Sequence, residues 1–428
     1  MSNVLNVAGQ YSIDAIEIIQ ASGLAIDVRD QVNHITIYED IFNPFMSGNL
    51  IMVDSTDLPS YFLNAGTDIL HLKLFTPTMD KKLWIDRYFH IYKLSDTVDI
   101  SDRGQTYIYH FVAVENLLDT AITISKTYKG PGDVIVQKLI KDTLKSSRPV
   151  TTASVSNDVG YTSNLWSPTK NIAYIADHSL AADRLPSFMF YENRAGFQFQ
   201  PLTSIATTDA YMKFDASDYV ADIKKGGTKG AGTMTRNLEK DYKTILKIQI
   251  DQTFDYERDR ANGLLSSRMF TFDLTAKKLS DTTFNMNSDT HSLLNPNRFY
   301  TKKVADSSYS GPNSSVIMFN QRHNALYNNT KDVSDFAYRQ KRISILRQYQ
   351  QHKIEITVFG RTDYSVGMTV DVDINRMKKL TREMSSQQIP NPLVSGKYIV
   401  SAVCHRFARD GKHETTMELI RDSINKNV

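Results

Sequence analysis

Three features of the 428-residue chain predict a mainly β protein with α+β insertions. Apolar and polar residues alternate in short runs near both ends of the chain, the period expected of half-buried antiparallel strands. Aromatic residues are plentiful, 22 Tyr and 20 Phe, and together with β-branched neighbours they favour sheet. Helical spacing of apolar residues is confined to interior segments that begin after Gly, Pro or Ser. The length exceeds one ordinary core and implies two to four folding units.

Residues 1–30 carry a mixed apolar pattern at Ile13–Ile19 and Leu24–Val28. Strands are expected at His34–Tyr38 and, after the turn at Asn43-Pro44, at Gly48–Asp54. Leu70, Leu72 and Leu74 alternate with His71 and Lys73, which puts one face inside and one in water. Arg87–Tyr92 and Tyr107–Val114 form a further pair, joined by the polar stretch Ser95–Gln105, which reads as a solvated acidic turn. Strands at this spacing, with no long helices between them, imply an antiparallel sandwich or barrel.

The texture changes at Lys129-Gly130-Pro131-Gly132. Asp133 is expected to cap a helix carrying Val134, Ile135, Leu139, Ile140 and Leu144. Ser167-Pro168 predicts a second helix, with Ser as its N-cap and Pro in its first turn. Phe188–Tyr191, a turn at Glu192–Gly196 and Phe197–Phe199 predict a compact hairpin. A glycine-rich basic loop at Lys224–Thr233 precedes a strand at Thr244–Ile250. Residues 276–332 read as long polar loops with short strands, and Asp332–Gln351 as a helix leading into the strand Ile354, Ile356, Val358. Gly367–Ile374, Ser395–His405 and Thr415–Ile420 complete a meander with a charged turn at Arg409–Lys412.

Residues 69–115 and 369–424 share an order: strand, connection, strand, charged turn, strand. The match sets His90 beside His405 and Glu115–Asp119 beside Glu418–Asp422. It suggests one antiparallel barrel built twice. Two sheet regions fused into one sheet, in place of similar separate barrels, would sink the duplication. The expected units are 1–126, a first barrel; 127–208, an α/β insertion; 209–255 with 340–425, a second barrel; and 256–339, a loop-rich insertion. Two similar units per chain in a three-fold ring would present six similar units.

The order of parts resembles the central baseplate hub proteins of contractile-tailed, T-even-type bacteriophages. The residues that carry the resemblance are the helix Asp332–Gln351 running into Ile354–Val358, then Gly367–Val370, Gly396–Val400, His405 and Met417-Glu418-Leu419. Trp166–Thr169, Ser187–Glu192 and Gly48–Asp54 extend it to earlier parts of the chain. Related folds occur in phage late-control tail proteins and type VI secretion spikes. The family has no catalytic signature. It implies two tail-tube-like barrels per chain and a non-enzymatic homotrimer with pseudo-six-fold symmetry. It further implies as partners a hexameric tail tube protein, a trimeric central spike and other baseplate proteins, with phage DNA passing through the channel. The location it implies is the virion tail baseplate, after synthesis in the host cytoplasm. The long, basic-starting connection Asn375–Val394 and the short C-terminal tail depart from the family pattern.

Composition narrows the other classes. Hydrophobic residues make up 41% and charged residues 23%, as in a packed globular chain. Net charge is +3, without the strong basic excess of a dedicated nucleic-acid binder. No apolar run approaches the roughly 18 to 20 residues of a membrane span, and no secretory leader is expected. The single Cys404 reads as a small buried side chain in a reducing compartment. His405 and His413 can meet across adjacent strands, but a metal needs three or four convergent ligands, and His90 and His110 face the same objection. Asp96, Asp99 and Asp102 lack a calcium-loop pattern. Gly226–Thr233 lacks the Lys-Ser/Thr ending of a P-loop. No catalytic, cofactor or metal residues are therefore assigned. The alternatives to a hub are a tail-associated glycan hydrolase and a host-glycan adhesin using loops within 276–330.

Overall fold

The computed structural model describes residues 5–56, 58–59, 67–101, 104–215, 238–252, 254–273, 277–290, 293–295, 297, 316–321, 336–374 and 391–424. The chain is mostly β. The first half contributes β1 (Ser12–Ile19), β2 (Ala25–Asp27), β3 (Val32–Asp40), β4 (Ser47–Asp54), β5 (Ile69–Phe75), β6 (Ile85–Ser101) and β7 (Gly104–Ala113). A middle module holds β8 (Thr127–Pro131), β9 (Val150–Thr152), β10 (Asp158–Thr162), β11 (Phe188–Asn193) and β12 (Gly196–Pro201). The remainder holds β13 (Met212–Asp215), β14 (Ile245–Gln252), β15 (Ser266–Asp273), β16 (Lys278–Asn285), β17 (Val316–Gln321), β18 (His352–Phe359), β19 (Thr369–Asp373), β20 (Gly396–Ala408) and β21 (His413–Arg421).

The strand alternation read from the sequence is realised. Leu50 and Met52 of β4, Leu70, Leu72 and Leu74 of β5, and Ile354, Ile356 and Val358 of β18 are all fully buried. Each such side chain contributes about 1.5–3 kcal/mol relative to exposure. The charged stretch Ser95–Gln105 departs from expectation. Through Ser101 it is strand and not turn: β6 runs on through Asp96 and Asp99 and pairs with β7 as an extended hairpin arm. The predicted cap also differs. Pro131 occupies the N-cap position of the helix Gly132–Lys138, and Asp133 lies in its first turn. The helix Pro168–Asp177 begins as expected, with Ser167 accepting from the Lys170 N–H. Helix Phe336–Tyr349 lies within the expected span. The glycine-rich loop and most of the Asn375–Val394 connection lie outside the described residues.

Strand order carries the duplication further than residue identity does. The first half runs β3-β4-β7-β6-β5-β1, and the second runs β14-β18-β21-β20-β19-β13. In chain order these are the same pattern. Registers agree as well. β6 slips by one residue against β7 between Ile91 and Lys93, and β20 slips against β21 between Val400 and Ala402. β3 slips against β4 between Val32 and His34, and β14 against β18 between Ile245 and Lys247. The halves differ in the last link, where β1 is antiparallel to β5 and β13 parallel to β19, and in extra slips of β6 after Ser95 and Asp99 and of β14 after Ile250. The register also corrects the sequence match. His90 corresponds to Ile399, not to His405, and Glu115 lies beyond the corresponding strands.

A second correction concerns separation. The two halves do not form separate sheets, so the duplication fails as two similar separate barrels and persists only as a repeated strand order. β20 pairs with β3, so both belong to one 13-stranded sheet. They remain distinct as cores. One surrounds Ile16, Leu50, Leu72, Phe89 and Phe111; the other surrounds Ile354, Ile356, Val370, Tyr398 and Leu419. Across the join each half lends the other a side chain. Ile41 is buried in the second core, and Phe407 in the first. The middle module packs its own core, built from Ile135, Ile140, Ile172, Phe188, Phe197 and Phe199. β15, β16 and β17 form a separate three-stranded sheet.

Candidate assembly surface

Where β3 meets β20, a polar seam runs through the interior. Glu39 falls on the inward phase of β3, after Ile35 and Ile37, and is as buried as they are. Its carboxylate accepts from Ser365 Oγ at 2.6 Å, from Val366 N–H at 3.0 Å and from Arg194 N–H at 3.0 Å. Burial raises its pKa above the ordinary carboxylate value, and these donors hold it back. Arg194 sits in the β11–β12 turn, so three parts of the chain converge on one carboxylate.

The seam continues to Arg87, which lies on the inward phase of β6 between Ile85 and Phe89. Arg87 contacts Glu192 directly and lies 3.9 Å from Glu115. Glu192 also accepts from Met46 N–H at 3.1 Å, and Glu115 accepts from Ser146 Oγ at 2.6 Å. Burial, and Arg148 nearby, lower the Arg87 guanidinium to about 10, so it stays charged at neutral pH. The network ties β6 to the middle module.

The histidines singled out by sequence do meet. His405 Nδ1 and His413 Nε2 are 3.0 Å apart, and both rings are buried. His405 Nε2 donates to the Tyr364 carbonyl at 3.2 Å, so Nδ1 is left as an acceptor, facing His413 Nε2 at 3.0 Å and the Thr415 hydroxyl at 3.2 Å. Burial lowers His405 to about 4 and, with His405 alongside, takes His413 well below its usual value. The pair is therefore neutral near pH 7 and braces the turn end of the β20–β21 hairpin. Among the described residues, no three His, Cys, Asp or Glu side chains are placed to hold a metal ion. His90 and His110 stand on different rungs of β6 and β7, opposite Val112 and Lys93. Cys404 is half-buried, and burial raises its thiol pKa.

The exposed surface that sequence reasoning missed is the arm of β6. Beyond Ile91 its side chains face solvent: Tyr92 is 56%, Val98 61% and Ile100 62% exposed. The signal was present in the sequence as Tyr92, Leu94, Val98 and Ile100 alternating with Lys93, Ser95, Thr97 and Asp99.

Two solved structures share this architecture. A tail protein from Neisseria meningitidis MC58 aligns with a TM-score of 0.56 at 11% identity, covering 96% of this chain and 97% of that one. The 43 kDa tail protein of prophage MuSo2 from Shewanella oneidensis aligns with a TM-score of 0.52 at 10% identity, covering 96% and 98%. The chain thus has the fold of these tail proteins. No protein-family model and no curated protein matches it by sequence.

Proposed function

We propose that the chain is a structural hub of a phage-type tail, acting as three copies closed into a ring. The observation that carries this reading is the repeated strand order, β3-β4-β7-β6-β5-β1 and β14-β18-β21-β20-β19-β13. Three chains with two like units each present six like units, which adapts a six-fold tail tube to a three-fold central spike. The two β halves, 1–126 and 209–255 with 340–425, are the tube-matching walls. The insertions 127–208 and 256–339 serve the ring's periphery or its spike-facing side. The fold shared with two tail proteins supports the assignment. The role is geometric and not catalytic. Its partners are the tube hexamer, the spike trimer and neighbouring baseplate proteins, and its channel leaves room for DNA. The virion tail baseplate is its place of action.

Electron microscopy of tail tubes assembled with and without the purified protein tests this role. Added protein should appear as one layer at a single end of each tube. Tubes that ignore it would contradict the role.

A further inference from the structure

The internal β3–β20 junction has an unfilled counterpart. β20 uses one edge for β21. Along its other edge β19 covers Gly396–Ile399, and β3 then takes over from Ala402 to Ala408. β6 is built the same way as far as Ser95, beyond which it slips against β7 twice more, between Ser95 and Val98 and between Asp99 and Ser101. One edge pairs with β7, and β5 covers Ile85–His90 of the other. Among the described residues, nothing takes over along the rest of that edge. The strand corresponding to β3 is β14, which pairs with β18 and stands at the end of the sheet. Among the described residues, each chain therefore carries one open edge of each kind that it has already joined once internally.

We propose that the arm of β6 pairs, antiparallel, with β14 of a second copy of this chain, repeating the β20–β3 junction between subunits. This rests on the ring reading and supplies its subunit contact. The register follows from the repeat. Arg406 faces Thr36 inside the chain. Val98 corresponds to Arg406, because each faces the matching residue of its hairpin partner, Thr106 and Glu414. Gln249 corresponds to Thr36, because each faces the matching residue of its neighbour, Glu355 and Asn49. Val98 of one copy thus stands opposite Gln249 of the next, and Asp99 opposite Ile248.

Surface chemistry agrees. The arm exposes Val98 and Ile100, and β14 exposes Ile250, 50% open, with Phe254 just beyond it at 61%. Open strand edges flanked by apolar side chains are a liability that strand addition removes. Because the two edges differ, the contact is head-to-tail, and three copies close only if each turn is one third of a circle.

The test is a disulfide. Val98→Cys with Gln249→Cys, in a full-length Cys404→Ser background, places the two thiols on directly opposed residues. Circular dichroism of the parent and of each single variant checks folding. After oxidation with copper phenanthroline, non-reducing electrophoresis should show a ladder that stops at three chains. Neither single variant should show it, and the linked peptides should join residues 98 and 249. A protein that sediments as a trimer yet forms no such link overturns the junction and leaves the ring standing. A protein that stays monomeric overturns both. A ladder continuing past three keeps the junction and overturns the closed ring.

Discussion

Tyr92 and Ser401 hold the same place in the two halves of the chain. Each is the extra residue at the slip of its hairpin, one between Ile91 and Lys93, the other between Val400 and Ala402. Ser401 is sealed: its carbonyl accepts from Ile41 N–H at 2.8 Å, its hydroxyl donates to Glu418 at 2.8 Å, and it has no exposed surface. Tyr92 is 56% exposed. One molecule thus displays both a closed and an open version of the same junction.

The closed version depends on Glu39. Glu39→Ala leaves the Ser365 hydroxyl and the Val366 and Arg194 N–H groups without their acceptor, at a cost of about 3 kcal/mol. Glu39→Gln keeps an acceptor oxygen and should cost less. Urea unfolding measures both, and equal midpoints for Glu39→Ala and the parent would contradict the assignment.

Arg87 and Glu192 form a buried pair, so single and double substitutions should not add. Arg87→Met leaves the buried Glu192 carboxylate with the Met46 N–H and, at 3.9 Å, Arg148, and should cost about 3 kcal/mol, whereas Arg87→Met with Glu192→Leu should recover much of that loss. A double-mutant cycle by chemical denaturation reads the coupling. Additive effects would show that the two side chains stabilise independently.

The histidine pair predicts acid sensitivity. The unfolded chain takes up a proton on His405 near pH 6.5, while burial holds the folded pKa at about 4. Between those values the unfolded state binds more protons, so this contribution is neutral above pH 6.5 and costs stability as pH falls, by on the order of 3 kcal/mol near pH 4. Glu39 and Asp422 act in the opposite sense, because burial raises both and their neutral forms favour folding at low pH. The readout is therefore a difference. His405→Gln should lose less stability than the parent between pH 7 and 5, and identical pH profiles would rule the pair out as a cause.

Gly48 is required by packing. A Cβ there would lie 2.2 Å from the Thr36 carbonyl and 2.4 Å from the Phe111 ring. Gly48→Ala should destabilise by about 3 kcal/mol, read as a lower thermal midpoint. An unchanged midpoint would mean that β3 and β7 can part without cost.

Much of this molecule was legible in its sequence. Leu70, Leu72 and Leu74 announced a strand, and Ser167-Pro168 a helix start. The pairing of β20 with β3 was not legible, because residues 40 and 402 are brought together only by tertiary packing, and alternation does not name a strand's partner. Glu39 and Arg87 broke the apolar phase of their strands, and that breach was the available sign of a buried seam. The acidic run from Asp96 was taken for a turn because charge suggests solvent. On a two-stranded arm, charge and strand coexist, since both faces are wet. His90 was matched to His405 by identity, whereas the strand slips aligned it with Ile399.

The central claim is that the repeated fold builds a ring from three chains. Sedimentation equilibrium of the full-length protein across the micromolar range tests it most directly. The account predicts one species of three times the 48.6 kDa chain mass. A species of one or two chains throughout that range would contradict it.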